Sequence, residues 1–505
     1  YVNYSELSKT EIISEPVSRK NLGGRLRIPS IAEVQLDPAR IVTSTDASVL
    51  STLYETLTSA VDGARIVPWL ASSFQAEEGA TKFRFHLRDD VRFHNGRRLT
   101  ARDVRYSFEH LMLTAETSYR SLLSPIRGAR EMLNGQTKEL KGFRVLSATE
   151  FVVELEEPLP FFPSLLTFAV TAIIPEGAEH FHGSWKDGCV GTGPFRLTSF
   201  EPGQAIKMEA NPSYWRSGFP KSDALEFRLQ TSPQEILTGF KNGEFTVATD
   251  LLPSDAEALL HSSSSAVKYQ DIPGLNTYYM IFNVHKGPFV DQAMRQRFIE
   301  AVDVEPLIRR VLGRLAVPAA SLTPPSLLGH QPSRRIASRS KKSQAPVEIT
   351  LMIHSIYEGQ YAFFKNELFK VLNEAGFKIK VVDTKAEYYE PEGIPITDIT
   401  FTRWLADYPD ADTFLHSLLH TEKGWEGKFC GVPELDQLLE SSRRESDSKT
   451  RHTLFKQMEE MIQDRSLVLP LFHEQTFAFA RPEVEGLELS FFSPYIHWEK
   501  VWTRR

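Results

Sequence analysis

One short run carries side chains whose types and spacing suit chemistry. Residues 404–412 read Trp-Leu-Ala-Asp-Tyr-Pro-Asp-Ala-Asp. Pro409 fixes its own φ and steers Tyr408 away from helical backbone, so the chain here is irregular. Such a segment, at the end of a strand, can hold Asp407 at a cleft mouth with Trp404 beside it. A carboxylate next to an indole is a receptor for an ammonium group. One supplies charge; the other supplies an apolar face and a cation–π surface. The competing reading is a strand-end turn in which Asp407 caps local N–H groups. His416 and His420 follow at helical i, i+4 spacing and could share a metal, but no third ligand lies nearby in sequence. A solvated or packed pair is the expectation there.

Other chemistry is missing. There is no GxSxG elbow, P-loop, HExxH or dinucleotide fingerprint. Gly191-Thr192-Gly193-Pro194-Phe195 has the start of such a fingerprint, but Arg196 stands where a last glycine is needed. Cys189 and Cys430 are the two cysteines and form no CxxC, which excludes a thioredoxin-type pair and a structural zinc site. One long-range disulfide is open; two unpaired buried thiols are the expectation. No catalytic residue, metal or cofactor is expected, and the chain is expected not to be an enzyme.

The 505 residues exceed what one hydrophobic core usually supports, so two or three domains or interleaved lobes are implied. With 41% apolar and 24% charged residues, the composition excludes a disordered or collagen-like chain. A net charge of -7 gives no electrostatic reason to expect nucleic acid. The longest uncharged apolar stretch runs from Pro158 to Pro175 and is broken by Pro160 and Pro163. A membrane helix needs about 20 apolar residues, so a buried helix over 161–168 and a strand over 169–174 are predicted, in a soluble chain. The sequence opens on Tyr1, and a signal peptide or another domain is expected to have preceded it.

The elements that must position residues 404–412 follow from periodicity. Residues 1–23 read as a polar arm, and 25–28 as a short strand. Ser48 to Leu57 looks helical. Phe83, Phe85 and Leu87 alternate with Arg84, His86 and Arg88, and Val91 and Phe93 resume after Asp89-Asp90. That is strand, turn, strand. Thr100 and Asp103 have capping-box spacing ahead of Val104, Phe108, Leu111 and Met112, which share a helical face. A strand over 278–283, a helix over 291–302 and a second helix from Asp303 to Gly313 come next. Strand 347–353, helix 360–375 and strand 377–382 form a βαβ unit. Strand 397–401 then leads to Trp404. A helix over 449–464 and an apolar strand over 467–472 complete the set. Residues 306–347 hold eight Arg or Lys and no acid, and the Pro- and Ser-rich part of them reads as a solvated loop.

The order of several motifs carries a resemblance. They are Leu36-Asp37-Pro38, Pro68-Trp69-Leu70-Ala71, Phe83 to Arg88, Val91 to Gly96, Leu99 to Val104, Gly191 to Phe195, Asn211 to Trp215, Asn283, Arg295, and Trp404 to Asp410. Over about residues 24–505 the chain resembles the family 5 extracellular solute-binding proteins, the oligopeptide- and dipeptide-binding components of ABC importers. The resemblance implies an α/β, two-lobed periplasmic-binding-protein-like fold of type II with an extra subdomain. Lobe I would combine 24–45, 188–269 and 476–505; the subdomain would be 46–187; lobe II would be 270–475.

In peptide-binding members the aspartate matched by Asp407 pairs with the peptide's amine, with Trp404 on the cleft wall. Main chain at Glu33, Val34, and Arg403 to Leu405 would bond an extended peptide. Tyr119 would match a cleft tyrosine. The implied partners are a peptide or other small solute and the membrane permease of an ABC importer, with no nucleic acid and no cofactor. A monomer in the periplasm or at the cell surface is expected. Two departures stand out. An Arg/Ser/Lys-rich loop at 331–345 replaces a helical segment of the family, and Arg403 lies near, but not at, the place of a carboxylate-binding arginine. The alternative is a ligand-sensing C-terminal domain of a larger cytoplasmic regulator, which the polar arm and altered loop resemble. A nickel, oligosaccharide or opine ligand also stays open.

Overall fold

Strands far apart in sequence share sheets, and this interleaving makes the two lobes. The computed structural model describes residues 23–41, 44–61, 64–114, 118–178, 189–261, 267–333, 346–382 and 397–504. The arm at 1–22 and residues 334–345 of the basic loop lie outside them.

The first sheet joins β1 (Arg25–Pro29) to β8 (Phe195–Glu201), β9 (Ala205–Ala210) and β10 (Ala224–Arg228), in the order β1-β10-β9-β8. β1 runs parallel to β10, with Leu26 opposite Leu225. Between them the chain leaves to form a hairpin, β2 (Thr58–Val61) and β3 (Arg65–Pro68), and an antiparallel sheet. That sheet holds β4 (Ala71–Glu77), β5 (Lys82–Leu87), β7 (Glu150–Glu154) and β6 (Phe143–Val145), in that order. The alternation in β5 turns Phe83, Phe85 and Leu87 inward. Phe85 stacks on Phe151 at 5.1 Å, and Phe151 on Phe143 at 4.8 Å.

The largest sheet runs β11-β18-β13-β17-β15-β16, with β12 and β14 also paired to β18. Its strands are β11 (Val247–Ala248), β12 (Lys268–Pro273), β13 (Asn276–Phe282), β14 (Ala316–Pro318), β15 (Val347–Ile353), β16 (Phe377–Val382), β17 (Ile399–Leu405) and β18 (Val468–Ala480). β15 and β16 are parallel, from Val347 opposite Phe377 onward. The helix Ala362–Glu374 joins them and buries Phe364, Leu368 and Leu372, spaced by four. Gly376, at φ +88°, reverses the chain after this helix, a conformation that costs other residues steric strain. A last hairpin pairs β19 (Val484–Glu485) with β20 (Trp502–Thr503).

β18 links the two systems. Its first half, to Phe472, pairs with β13; residues 475–480 pair with β12. The lobes also touch away from this strand. Phe161 of the subdomain stacks on Tyr408 at 6.1 Å, with the Arg451 guanidinium 4.4 Å from its ring centre. Arg444 pairs with Glu157 beside it at 3.0 Å.

Three local expectations differ from the structure. The helix near Ser48 occupies Ser44–Leu50 and ends in turns before Tyr54. After Asp89-Asp90, the expected second strand is a single bridge, Arg92 to Arg98. Residues 169–174 form a short 3-10 turn, Ala169–Thr171, and an unpaired extended stretch. That stretch is buried without a neighbouring strand, since Ile173 N–H bonds the Glu55 carbonyl and Ile174 N–H the Ser107 hydroxyl. Cys189 and Cys430 are buried free thiols.

Candidate ligand-binding site

β17 is a central strand whose end is bare on one side. Its residues Ile399 to Thr402 are buried, while Arg403 to Asp407 are partly open. β13 pairs along the whole of it, from Phe282 opposite Ile399 to Asn276 opposite Leu405. β15 pairs only as far as Ile353 opposite Phe401. Residues 403–405 therefore present one strand edge with no strand partner among the described residues. Such an edge can take an added strand.

Asp407 follows this edge. Ala406 N–H bonds the Leu275 carbonyl at 2.9 Å, and Pro409 then breaks regular structure. The Asp407 carboxylate makes no hydrogen bond or ion pair among the described residues, and burial alone pushes its pKa up to about 7. The local capping role considered from sequence is thus unfilled. Trp404, three residues earlier, packs between the core of the subdomain side and that of lobe II, with its indole N–H on Thr413 Oγ1 at 3.2 Å.

Arg403 is the opposite case. Its Nη1 donates to Tyr278 Oη at 3.0 Å. Tyr278 Oη donates to Glu474 Oε2 at 2.9 Å, and Tyr361 Oη donates to Glu474 Oε1 at 2.5 Å. Burial works against the Arg403 charge, but Tyr278 and Glu474 outweigh it and raise its pKa. His354, at the end of β15, is pushed down to about 4 by burial and then by Arg403, so it is neutral at pH 7. Tyr495, near the chain's end, is raised to about 12 by burial and by Glu474. The cluster therefore sits where lobe II meets the last segment of the chain, and Leu275 N–H bonds the Phe491 carbonyl at the same junction. Tyr278, Tyr361 and Glu474 escaped the sequence reading. The available signal was Glu474 itself, an acid inside the apolar run of β18.

Glu33 and Val34 follow β1 as extended, non-sheet chain, with Val34 buried and Glu33 exposed. Their main-chain groups make no backbone hydrogen bond among the described residues. Leu405 closes the β13–β17 ladder opposite Asn276. Tyr119 packs edge-on against Phe168 at 4.9 Å in the subdomain.

His416 and His420 gain a third neighbour, Glu440, and the three ligand atoms lie within 4.8 Å of one another. The hydrogen bonds argue against a metal. His416 Nδ1 accepts from Arg443 Nη1 at 2.7 Å, and His420 Nδ1 accepts from the Glu422 and Lys423 N–H groups. Each ring then carries its proton on Nε2 and turns an N–H, not a lone pair, toward Glu440. Burial pushes the Glu440 carboxyl up, but Lys423 at 2.6 Å and the two rings outweigh this and leave it at about 2.

A depression opens between the subdomain and lobe I, with Glu55, Trp69, Tyr214, Phe492 and His497 among its lining. Its buried acid is fully bonded. Glu55 accepts from Trp69 at 2.8 Å, Tyr214 at 2.8 Å, Thr192 at 2.9 Å and Trp215 at 3.1 Å.

Residues 65–346 match the family model described as bacterial extracellular solute-binding proteins, family 5, middle. The periplasmic murein peptide-binding protein MppA of Escherichia coli K12 is 23% identical over 90% of this chain and 88% of its own. The probable di/tripeptide-binding protein 5 of Pseudomonas aeruginosa is 26% identical over 84% and 85%. The Haemophilus influenzae OppA structure in complex with RPPGFSPFR superposes with a TM-score of 0.75 at 21% identity, over 96% of this chain and 99% of that one. These likenesses show the two-lobed fold.

Proposed function

Because the chain belongs to the bacterial extracellular solute-binding proteins of family 5, we propose that it captures a peptide between its lobes, by the amino terminus, for an ABC-importer permease. The observation that carries this is Asp407, a half-buried carboxylate with no partner among the described residues, at the end of an open strand edge. An ammonium would supply the missing partner, and the edge at 403–405 would supply main-chain bonds that ignore side chains. Trp404 forms the wall, and Glu33 and Val34 offer free main chain from lobe I. Tyr119 contributes from the subdomain. The names of the relatives, peptide-binding and periplasmic, support the same reading.

Lobe I takes 24–45, 188–269 and 476–505, the subdomain 46–187 and lobe II 270–475; the separate sheets of β1, β8, β9 and β10 and of β4 to β7 favour the first two, while β18 crosses between the lobes. No described helix is long and apolar enough to cross a membrane. The protein acts as a monomer in the periplasm or at the cell surface, without catalysis, cofactor or nucleic acid. Calorimetry with synthetic tri- to pentapeptides tests the core of this. Asp407→Asn should weaken binding at least about tenfold, since it removes a charge-assisted bond. N-acetylated peptides should bind neither form well. Affinity unchanged within about twofold in Asp407→Asn would sink the amine-docking role.

A further inference from the structure

The charged residue nearest to Asp407 along β17 is Arg403, and its Nη1 is already engaged by a tyrosine whose hydroxyl is bonded to Glu474. Four residues of extended chain span roughly 13 Å. A peptide whose amine rests on Asp407 and whose chain follows the open edge would thus pass Arg403 after about four residues. A free guanidinium there would bind a ligand carboxylate as a bidentate fork. This one donates to Tyr278 Oη, lies over the Tyr278 ring at 5.8 Å, and is neutralised through Tyr278 by Glu474. Tyr361 holds the second Glu474 oxygen, so the carboxylate cannot turn away without losing two bonds. The other groups facing the cluster, His354 and Tyr495, are neutral at pH 7. One cation and one anion therefore cancel at this point of the cleft, and Asp407 remains the uncompensated charge.

We infer that Glu474 determines specificity by withholding Arg403 from ligand anions, so that the cleft reads the amine of a peptide and is indifferent to its C-terminal carboxylate. The inference rests on the peptide reading above. It names the ligand class more closely: peptides with a free amino terminus, whether they end in a carboxylate, an amide or further chain. A carboxylate arriving at Arg403 would meet Glu474 as a like charge, one tyrosine hydroxyl away from the guanidinium.

The test uses random-sequence tri- to pentapeptides with free amino termini, made as acids and as C-terminal amides. The two pools compete for the protein, with bound masses counted by native mass spectrometry. Wild type should take both forms within about twofold. Glu474→Gln keeps an acceptor for the tyrosines but releases the Arg403 charge, and should favour acids at least about fivefold. Wild type favouring acids tenfold would overturn the inference and leave the peptide reading intact. A folded Glu474→Gln that stays indifferent would overturn it equally. Should that variant not fold, Arg403→Gln decides: binding of both pools retained supports the inference, and selective loss of acids overturns it. If neither pool binds wild type, the peptide reading fails and takes the inference with it.

Discussion

Two of the carboxylates that burial raises, Glu55 and Asp407, differ in what surrounds them. Glu55 in the subdomain is raised by burial yet receives hydrogen bonds from Trp69, Thr192, Tyr214 and Trp215. Asp407 in lobe II is raised by burial and receives none from the described residues. Burial of a charge without a partner costs free energy, and folding alone gives no reason to keep it. Glu55 satisfies the interior that surrounds it; Asp407 leaves a deficit that a ligand can fill. The depression at Glu55 surrounds a satisfied acid, so a hollow alone does not mark the site.

The largest effect expected from this contrast is structural. Glu55→Leu leaves several buried donors without an acceptor and should cost about 3 kcal/mol or more, read from urea denaturation. A loss below about 1 kcal/mol would mean that the acid is not the hub it looks like. Next comes pH. With a free-state pKa of about 7, Asp407 must lose its proton to meet an ammonium. Peptide affinity should therefore fall roughly twentyfold from pH 7.5 to pH 5.5 by calorimetry, and Asp407→Asn should flatten that slope. In the ligand-free protein the sign reverses. The folded pKa stands above the ordinary 3.8, so this group favours the folded state below about pH 4, and that contribution is lost as pH rises to about 7.

A smaller effect is kinetic. Phe161→Ala removes the ring between Tyr408 and Arg451, and should speed ligand release a few-fold, or about 1 kcal/mol, in stopped-flow measurements. Unchanged release would place that contact outside the closed state's stabilisation. Smallest is the stability of ligand-free Asp407→Asn at pH 7. It should match wild type within about 0.5 kcal/mol or exceed it, because no bond is lost. A clear drop would reveal a partner for Asp407 and erase the contrast with Glu55.

Much of the fold was legible because its elements are strongly periodic. The βαβ unit fell where Val347 to Val382 placed it, and the helix after Thr100 keeps Asp103 bonded to the Thr100 N–H at 2.8 Å. Residues 169–174 misled because a short buried apolar run has the same composition whether it joins a sheet or threads between loops. At the site, Asp407 and Trp404 were readable from one local run. The Arg403 cluster was not, since Tyr278, Tyr361 and Glu474 come from three distant segments that only the sheet order brings together. The third neighbour of the histidine pair, Glu440, was hidden for the same reason.

β18 has one further implication. The strand changes partners at residues 474 and 475, from β13 and β14 on one side to β12 on the other. Asn276 grips the main chain of Glu474 there, with its amide oxygen 2.6 Å from the Glu474 nitrogen and its amide nitrogen 3.1 Å from the carbonyl. A rotation of one lobe against the other twists the strand where its pairing changes, and Glu474 lies at that point. Opening the molecule would thus turn the carboxylate that holds Tyr278 and Tyr361, so the electrostatic character of the binding surface would change with the angle between the lobes.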